Sequence, residues 1–267
     1  MKTIRCGTID LHTVDVGQGP PILLVHGFPL DHTMWRPQID ELSRDHRVIA
    51  PDLRGFGQSR LPDGPNADEA VTMEQFADDL ALLLDGLGVT EPVTLCGLSM
   101  GGYIAFQFWR RHAKRLARLI LCDTRAIADS PDAAQGRLAT AKKVLAEGAS
   151  VVAEAMLPKL LAASTAEKQP QIKTALRQTM LATPPAGIAA ALRGMAVRPD
   201  VTSWLPSVQV PTLVLVGSDD AIAPPAEMRS IAAAIPGAQF VEIAAAGHMA
   251  PWENAAASNA ALRKFLA

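Results

Sequence analysis

Short runs of consecutive apolar residues recur along the chain, each stopped by a glycine, proline or polar residue. Ile22-Leu23-Leu24-Val25 ends at His26-Gly27, Arg47-Val48-Ile49-Ala50 at Pro51-Asp52, and Pro92-Val93-Thr94-Leu95-Cys96 at Gly97. Arg118-Leu119-Ile120-Leu121-Cys122 ends at Asp123, Thr212-Leu213-Val214-Leu215-Val216 at Gly217, and Gln239-Phe240-Val241-Glu242-Ile243 closes the series. Runs this short, apolar at successive positions, predict strands covered on both faces, as in a parallel sheet. Residues 3–9 and 11–16 predict a leading pair of strands before the Gly17-Gln18-Gly19-Pro20 turn.

Helical periodicity falls between the runs. Thr72 opens one helix, with Phe76, Leu80, Leu83, Leu84 and Leu87 at helical spacing and Gln75 placed for a capping box. Met100 to His112, Ala226 to Ile235 and Trp252 to Leu266 predict three more. Strand–helix alternation predicts an α/β fold, a mostly parallel sheet flanked by helices on both faces, with ligands bound beyond the strands' C-terminal ends.

The alternation lapses once. Residues 125–208 are alanine-rich and helical in pattern, punctuated by Pro131, Pro158, Pro170, Pro184, Pro185 and Pro199. They predict a cap of three or four short helices inserted into a core made of residues 1–124 and 209–267. Met156, Leu160 and Leu161 are the cap positions expected to tune a pocket, met from below by Phe28 and Met100.

Composition narrows the function classes. With 267 residues the chain has room for a substantial core. Lys plus Arg number 25 and Asp plus Glu 27, so no excess of basic charge argues for a nucleic-acid partner. The N-terminus lacks the apolar core of a signal peptide, and no apolar stretch is long enough to span a bilayer. Cys6, Cys96 and Cys122 show no framework spacing, which suggests free thiols as small core residues in a cytoplasmic protein.

Gly97-Leu98-Ser99-Met100-Gly101 is the single G-x-S-x-G of the chain. It follows a predicted buried strand and opens a predicted helix, the setting in which a sharp turn exposes a nucleophilic serine. A serine hydroxyl needs a base, and the base needs a group to orient it. His248, in the loop after the last strand, is the expected base. The acid follows the fifth run, where Asp220 is the choice; Asp219 is expected to organise the turn, and Asp123, after the fourth run, is the other position from which an acid reaches the histidine. The oxyanion needs fixed donors, expected from the backbone N–H groups of Phe28 and Met100. Asp52 through Ser59 is glycine-rich but lacks the Lys-Ser/Thr ending of a phosphate loop, and predicts a turn held by Asp52 and Arg54. The other histidines show no metal spacing, so neither metal nor cofactor is expected.

Together His26-Gly27-Phe28-Pro29, Asp52 to Ser59, Gly97 to Gly102, the Gly217 to Pro224 turn and Gly247-His248 resemble the α/β-hydrolase fold superfamily, from about residue 20 to the C-terminus. The resemblance implies a cofactor-free hydrolase with Ser99, Asp220 and His248 as triad, acting on a small-molecule ester or lactone. Leu98 before the serine is similar to small carboxylesterases and 3-oxoadipate enol-lactone hydrolases. Carbon–carbon bond hydrolases usually carry Asn there, and the superfamily's dehalogenases and epoxide hydrolases use an Asp nucleophile. Serine-dependent perhydrolases share the triad. The competing class is a ligand receptor that keeps the fold without catalysis.

Overall fold

The computed structural model describes residues 1–62 and 69–267. Two antiparallel strands lead, β1 (Lys2–Cys6) and β2 (Ile9–Val16). Then come β3 (Pro21–Val25), helix α1 (Arg36–Leu42), β4 (Arg47–Pro51), α2 (Met73–Gly86), β5 (Val93–Leu98), α3 (Met100–His112) and β6 (Leu116–Cys122). Five helices intervene before β7 (Thr212–Gly217): α4 (Pro131–Glu147), α5 (Ser150–Leu160), α6 (Ala163–Lys168), α7 (Pro170–Ala182) and α8 (Pro185–Ala196). The chain closes with α9 (Pro225–Ala234), β8 (Gln239–Ile243), α10 (Ala250–Glu253) and α11 (Ala255–Leu266).

The strands form one eight-stranded sheet in the order β1-β2-β4-β3-β5-β6-β7-β8, parallel from β4 to β8. The apolar runs are continuous because successive side chains enter different cores. Leu23, Val25, Leu95, Leu119, Leu121, Val214 and Val216 pack with Phe76, Ile104, Phe108 and Ile231. Their neighbours Ile22, Leu24, Cys96, Ile120, Leu213 and Leu215 pack on the other face with Trp35, Leu42, Leu262 and Phe265. The doubly wound α/β architecture follows from this two-sided burial.

Thr72 caps α2 as its pattern predicts, its hydroxyl accepting from the Gln75 N–H. The last predicted helix differs: it breaks at Asn254, whose side chain caps α11 by accepting from the Ala257 N–H. Helix α1 was not evident from periodicity, since it buries only Gln38 and Leu42.

The inserted stretch holds five α-helices rather than three or four. Pro131, Pro170 and Pro185 stand in the first helical turn, where proline's missing N–H costs nothing, while Pro158 lies inside an α-helix and Pro206 inside a short 3-10 turn. The prolines thus begin helices more than they divide them.

Candidate active site

Four loops leave the C-terminal ends of β5, β6, β7 and β8, and hydrogen bonds tie them in series. Ser99 N–H donates to Cys122 O (2.9 Å), Asp123 N–H to Leu215 O (2.9 Å), and Asp219 N–H to Ala246 O (2.8 Å). Each loop is therefore positioned by its neighbour as well as by its own strand.

Ser99 sits between fully buried β5 and the first residue of α3, at φ 54° and ψ −112°. A non-glycine residue with this left-handed φ is strained, and such strain persists only where the surroundings enforce it. The surroundings here are tight: a Cβ on Gly97 would overlap the carbonyl of Gly101, and one on Gly101 the carbonyl of Val25. Thr124 Oγ1 holds the turn from the β6 side, donating to Ser99 O (2.7 Å). Ser99 itself stays partly exposed, in a stretch that is otherwise buried from Val93 to Phe108.

Asp220 and His248 meet. The His248 Nδ1–H donates to Asp220 Oδ2 at 2.8 Å, with both side chains almost wholly buried. Asp220 Oδ1 accepts from Ile222 N–H (2.8 Å) and Ala223 N–H (3.0 Å). The turn-organising role expected of Asp219 thus belongs to Asp220, while Asp219 is exposed and, among the described residues, its carboxylate accepts only from Ser218 Oγ (3.1 Å). The Asp220 contact leaves Nε2 as the free nitrogen of the His248 ring. Among the described residues no hydrogen bond joins the Ser99 hydroxyl to His248; unliganded sites often hold this contact loose.

The backbone N–H groups of Phe28 and Met100 have no hydrogen-bond partner among the described residues. The Phe28 turn is set by His26, which is fully buried. Its Nδ1–H donates to Gly27 O (2.9 Å) and its Nε2 accepts from Leu53 N–H (3.0 Å), and burial holds it below the ordinary imidazole range. The glycine-rich turn that supplies Leu53 is held by Asp52, which accepts from His32 and from Gln58 N–H. Arg54 acts differently from expectation: it pairs with Asp79 of α2 and so ties the turn to that helix.

Glu253 carries no motif in the sequence. It is buried, and its Oε1 accepts from Gly247 N–H (2.8 Å) and Met249 N–H (3.1 Å), clasping His248 from both sides. Its Oε2 accepts from Ala162 N–H (2.8 Å) in the inserted helices. A glutamate five residues beyond the histidine, on a short helix, offers no periodic signal of this role.

A cavity of about 330 Å³ lies between the inserted helices and the strand-end loops, lined by Phe28, Ile222, Arg137, Met156, Lys159 and Leu192 among others. Of the three tuning positions expected, only Met156 lines it; Leu160 and Leu161 are buried away from it. Met100 likewise points into the core and does not line the cavity. Asp31, His32 and Asp52 cluster closely enough to hold an ion, but each carboxylate is already engaged by local donors.

The alpha/beta hydrolase fold model matches residues 20–255. A thermophilic esterase from Thermogutta terrifontis, solved with malate bound, is 49% identical, with a TM-score of 0.95 over 99% of this chain and 97% of that one. An enol-lactonase from Burkholderia xenovorans is 33% identical, with a TM-score of 0.89 over 99% of both chains. A 3-oxoadipate enol-lactonase from Acinetobacter baylyi is 29% identical over 83% of this chain and 80% of its own length.

Proposed function

Since the chain belongs to the α/β hydrolase fold family, we propose that it hydrolyses carboxylic esters of short or medium acyl chains through an acyl-enzyme on Ser99. His248 Nε2 takes the Ser99 proton as Oγ attacks the carbonyl carbon, and Asp220 holds the imidazole and stabilises its cation. The carbonyl oxygen becomes an oxyanion held by the Phe28 and Met100 N–H groups. The intermediate collapses as His248 returns the proton to the leaving alkoxide, and the alcohol departs. Water, deprotonated by His248, then attacks the acyl carbon and releases the acid and Ser99.

The observation that carries this reading is Ser99 itself: a strained serine on a buried strand–helix turn, beside a histidine already oriented by a buried carboxylate. The likeness to an esterase over nearly the whole chain supports it. The cavity adds less: its wall includes Phe28 of the oxyanion turn and Ile222 beside Asp220 but neither Ser99 nor His248, and its size is near the lower end of the range of about 300–1,000 Å³ for small-molecule sites. The inserted helices act as its cap. The three buried free cysteines fit a cytoplasmic setting, and among the described residues no helix is long and apolar enough to cross a membrane.

One observation favours an enol-lactone as the natural ester. Arg137 in the cavity wall is paired with Asp129, but Lys159 has no ion-pair partner among the described residues. A lactone of a dicarboxylic acid keeps one free carboxylate, which that ammonium would meet. The triad chemistry is unchanged, since the leaving alcohol is simply tethered to the acyl group.

The test is a panel of nitrophenyl esters of increasing acyl length, with neutral and acidic lactones, run with the parent and with Ser99→Ala. Ser99→Ala should lose about 10⁴-fold or more in kcat with its fold intact, because a triad acts as one unit. Retention of substantial turnover, or failure of a phosphonate to label Ser99, would reject the assignment.

A further inference from the structure

The reaction as proposed uses Asp220 and leaves a second buried carboxyl unexplained. Asp123 follows β6 and is wholly buried. Its φ of 47° lies in the left-handed region, so its backbone is strained as Ser99's is. Its Oδ1 accepts from Gly217 N–H at 2.8 Å, and its Oδ2 is buried with no partner assigned. The same turn carries Asp220, whose N–H donates to Gly217 O at 3.2 Å. The Asp123 carboxyl and the Asp220 backbone thus meet at Gly217, one from β6 and the other from the loop after β7.

Two adjacent buried carboxylates cannot both carry charge cheaply, so one must keep its proton. The donors decide which. Asp220 accepts from two amides and the His248 ring, three bonds that favour its charged form. Among the described residues Asp123 accepts from a single amide. Its burial first, and then the Asp220 charge, hold its carboxyl protonated well above the usual carboxylate range. The titratable groups facing it are Asp220 from the neighbouring loop and Cys122 from its own strand.

We propose that Asp123 is a positioning residue: its protonated carboxyl donates an Oδ2–H hydrogen bond to Asp220 and holds that carboxylate against His248 Nδ1. This rests on the reading of Asp220 as the orienting acid. The bond gives the orphaned Oδ2 a partner and restrains the carboxylate that orients the imidazole. It also accounts for a polar side chain at a strained, dry position: an asparagine or protonated aspartate fits there, an ionised one does not.

The experiment compares Asp123→Ala, Asp123→Asn and Asp220→Asn by kcat, KM and pH–rate profile on a nitrophenyl ester. Asp123→Ala should lose about 10- to 100-fold in kcat with KM little changed, the worth of one hydrogen bond to a charged group. Asp123→Asn should recover most of that loss, since its amide N–H replaces the O–H and Oδ1 still serves Gly217. Its acid limb in kcat/KM should keep the parent midpoint, because no charge has been removed.

Thermal unfolding gives a readout independent of turnover. A buried acid whose pKa is raised by folding weakens the fold as pH rises above its unfolded value of about 4, and asparagine does not. Asp123→Asn should therefore melt above the parent at pH 8 and approach it near pH 4. Parental kcat in Asp123→Ala, an acid limb displaced downward in Asp123→Asn, or no pH-dependent stabilisation would overturn the proposal. If Asp123→Asn proves crippled while Asp220→Asn is active, the acid itself has been misassigned, and the triad reading fails with it.

Discussion

The strand-end loops and the helices inserted between β6 and β7 are built on opposite terms. The loops bury polar groups and satisfy them with backbone amides: two from a few residues away on Asp220 Oδ1, two more on Glu253 Oε1, and one from the neighbouring loop on Asp123 Oδ1. The inserted helices bury apolar side chains instead, only Ala141 and Val144 over the seventeen residues of α4 but Leu160, Leu176 and Met180 in α5 and α7. Buried, hydrogen-bonded loops resist displacement because each lost bond leaves a desolvated group unpaired. Under the proposed function, reactivity belongs to the first region and substrate choice to the second.

Asp220→Asn attacks the loops hardest. The amide presents the wrong partner to His248 Nδ1, so kcat should fall by about 10³- to 10⁴-fold with the fold intact. Asp219→Asn, one residue away but exposed, should stay near the parent. Equal damage from both would erase the distinction that the turn makes between them.

Glu253→Gln tests the clasp shared by the two regions. Its Oε1 and Oε2 together accept three amides, and an amide side chain can satisfy only those on its oxygen. A loss of about tenfold in kcat and a thermal midpoint lower by several degrees are expected. A variant with parental kcat would mean that the His248 loop needs no external support.

Met156→Ala probes the second region alone. Enlarging the cavity should shift the preferred acyl chain toward longer substrates by about tenfold in relative kcat/KM, while leaving phosphonate labelling of Ser99 unchanged. Leu160→Ala, buried away from the cavity, should cost about 2–5 kcal/mol of stability without that shift. A shift in selectivity from Leu160→Ala alone would place the specificity wall elsewhere.

Asp129→Asn should give the smallest effect. Although burial works against its charge, hydrogen bonds from Arg137 and the 2.8 Å pair with Arg198 hold Asp129 below the ordinary carboxylate range. A depressed carboxyl contributes stability that is full above its unfolded value of about 4 and fades as pH falls through the folded one. The variant should melt below the parent at pH 7, and the gap should close toward pH 3. A gap that is constant with pH would assign the effect to packing instead of charge.

What the sequence by itself determined is what repeats or turns locally. The two-sided apolar runs specify the parallel sheet, because a strand covered on both faces has no polar positions to alternate. The glycines around Ser99 specify a turn that larger residues would block. The order of runs also carries Ser99, Asp220 and His248 to loops at the C-terminal end of the sheet. Only the tertiary structure decided which polar groups meet. Asp123 reaches Gly217 across 94 positions of sequence, and Glu253 reaches Ala162 across 91. The break at Asn254, the pairing of Arg54 with Asp79 and the exclusion of Leu160 from the cavity are of the same kind. Periodicity reports which face of an element is buried, but a hydrogen bond between distant loops depends on where the whole sheet brings their ends.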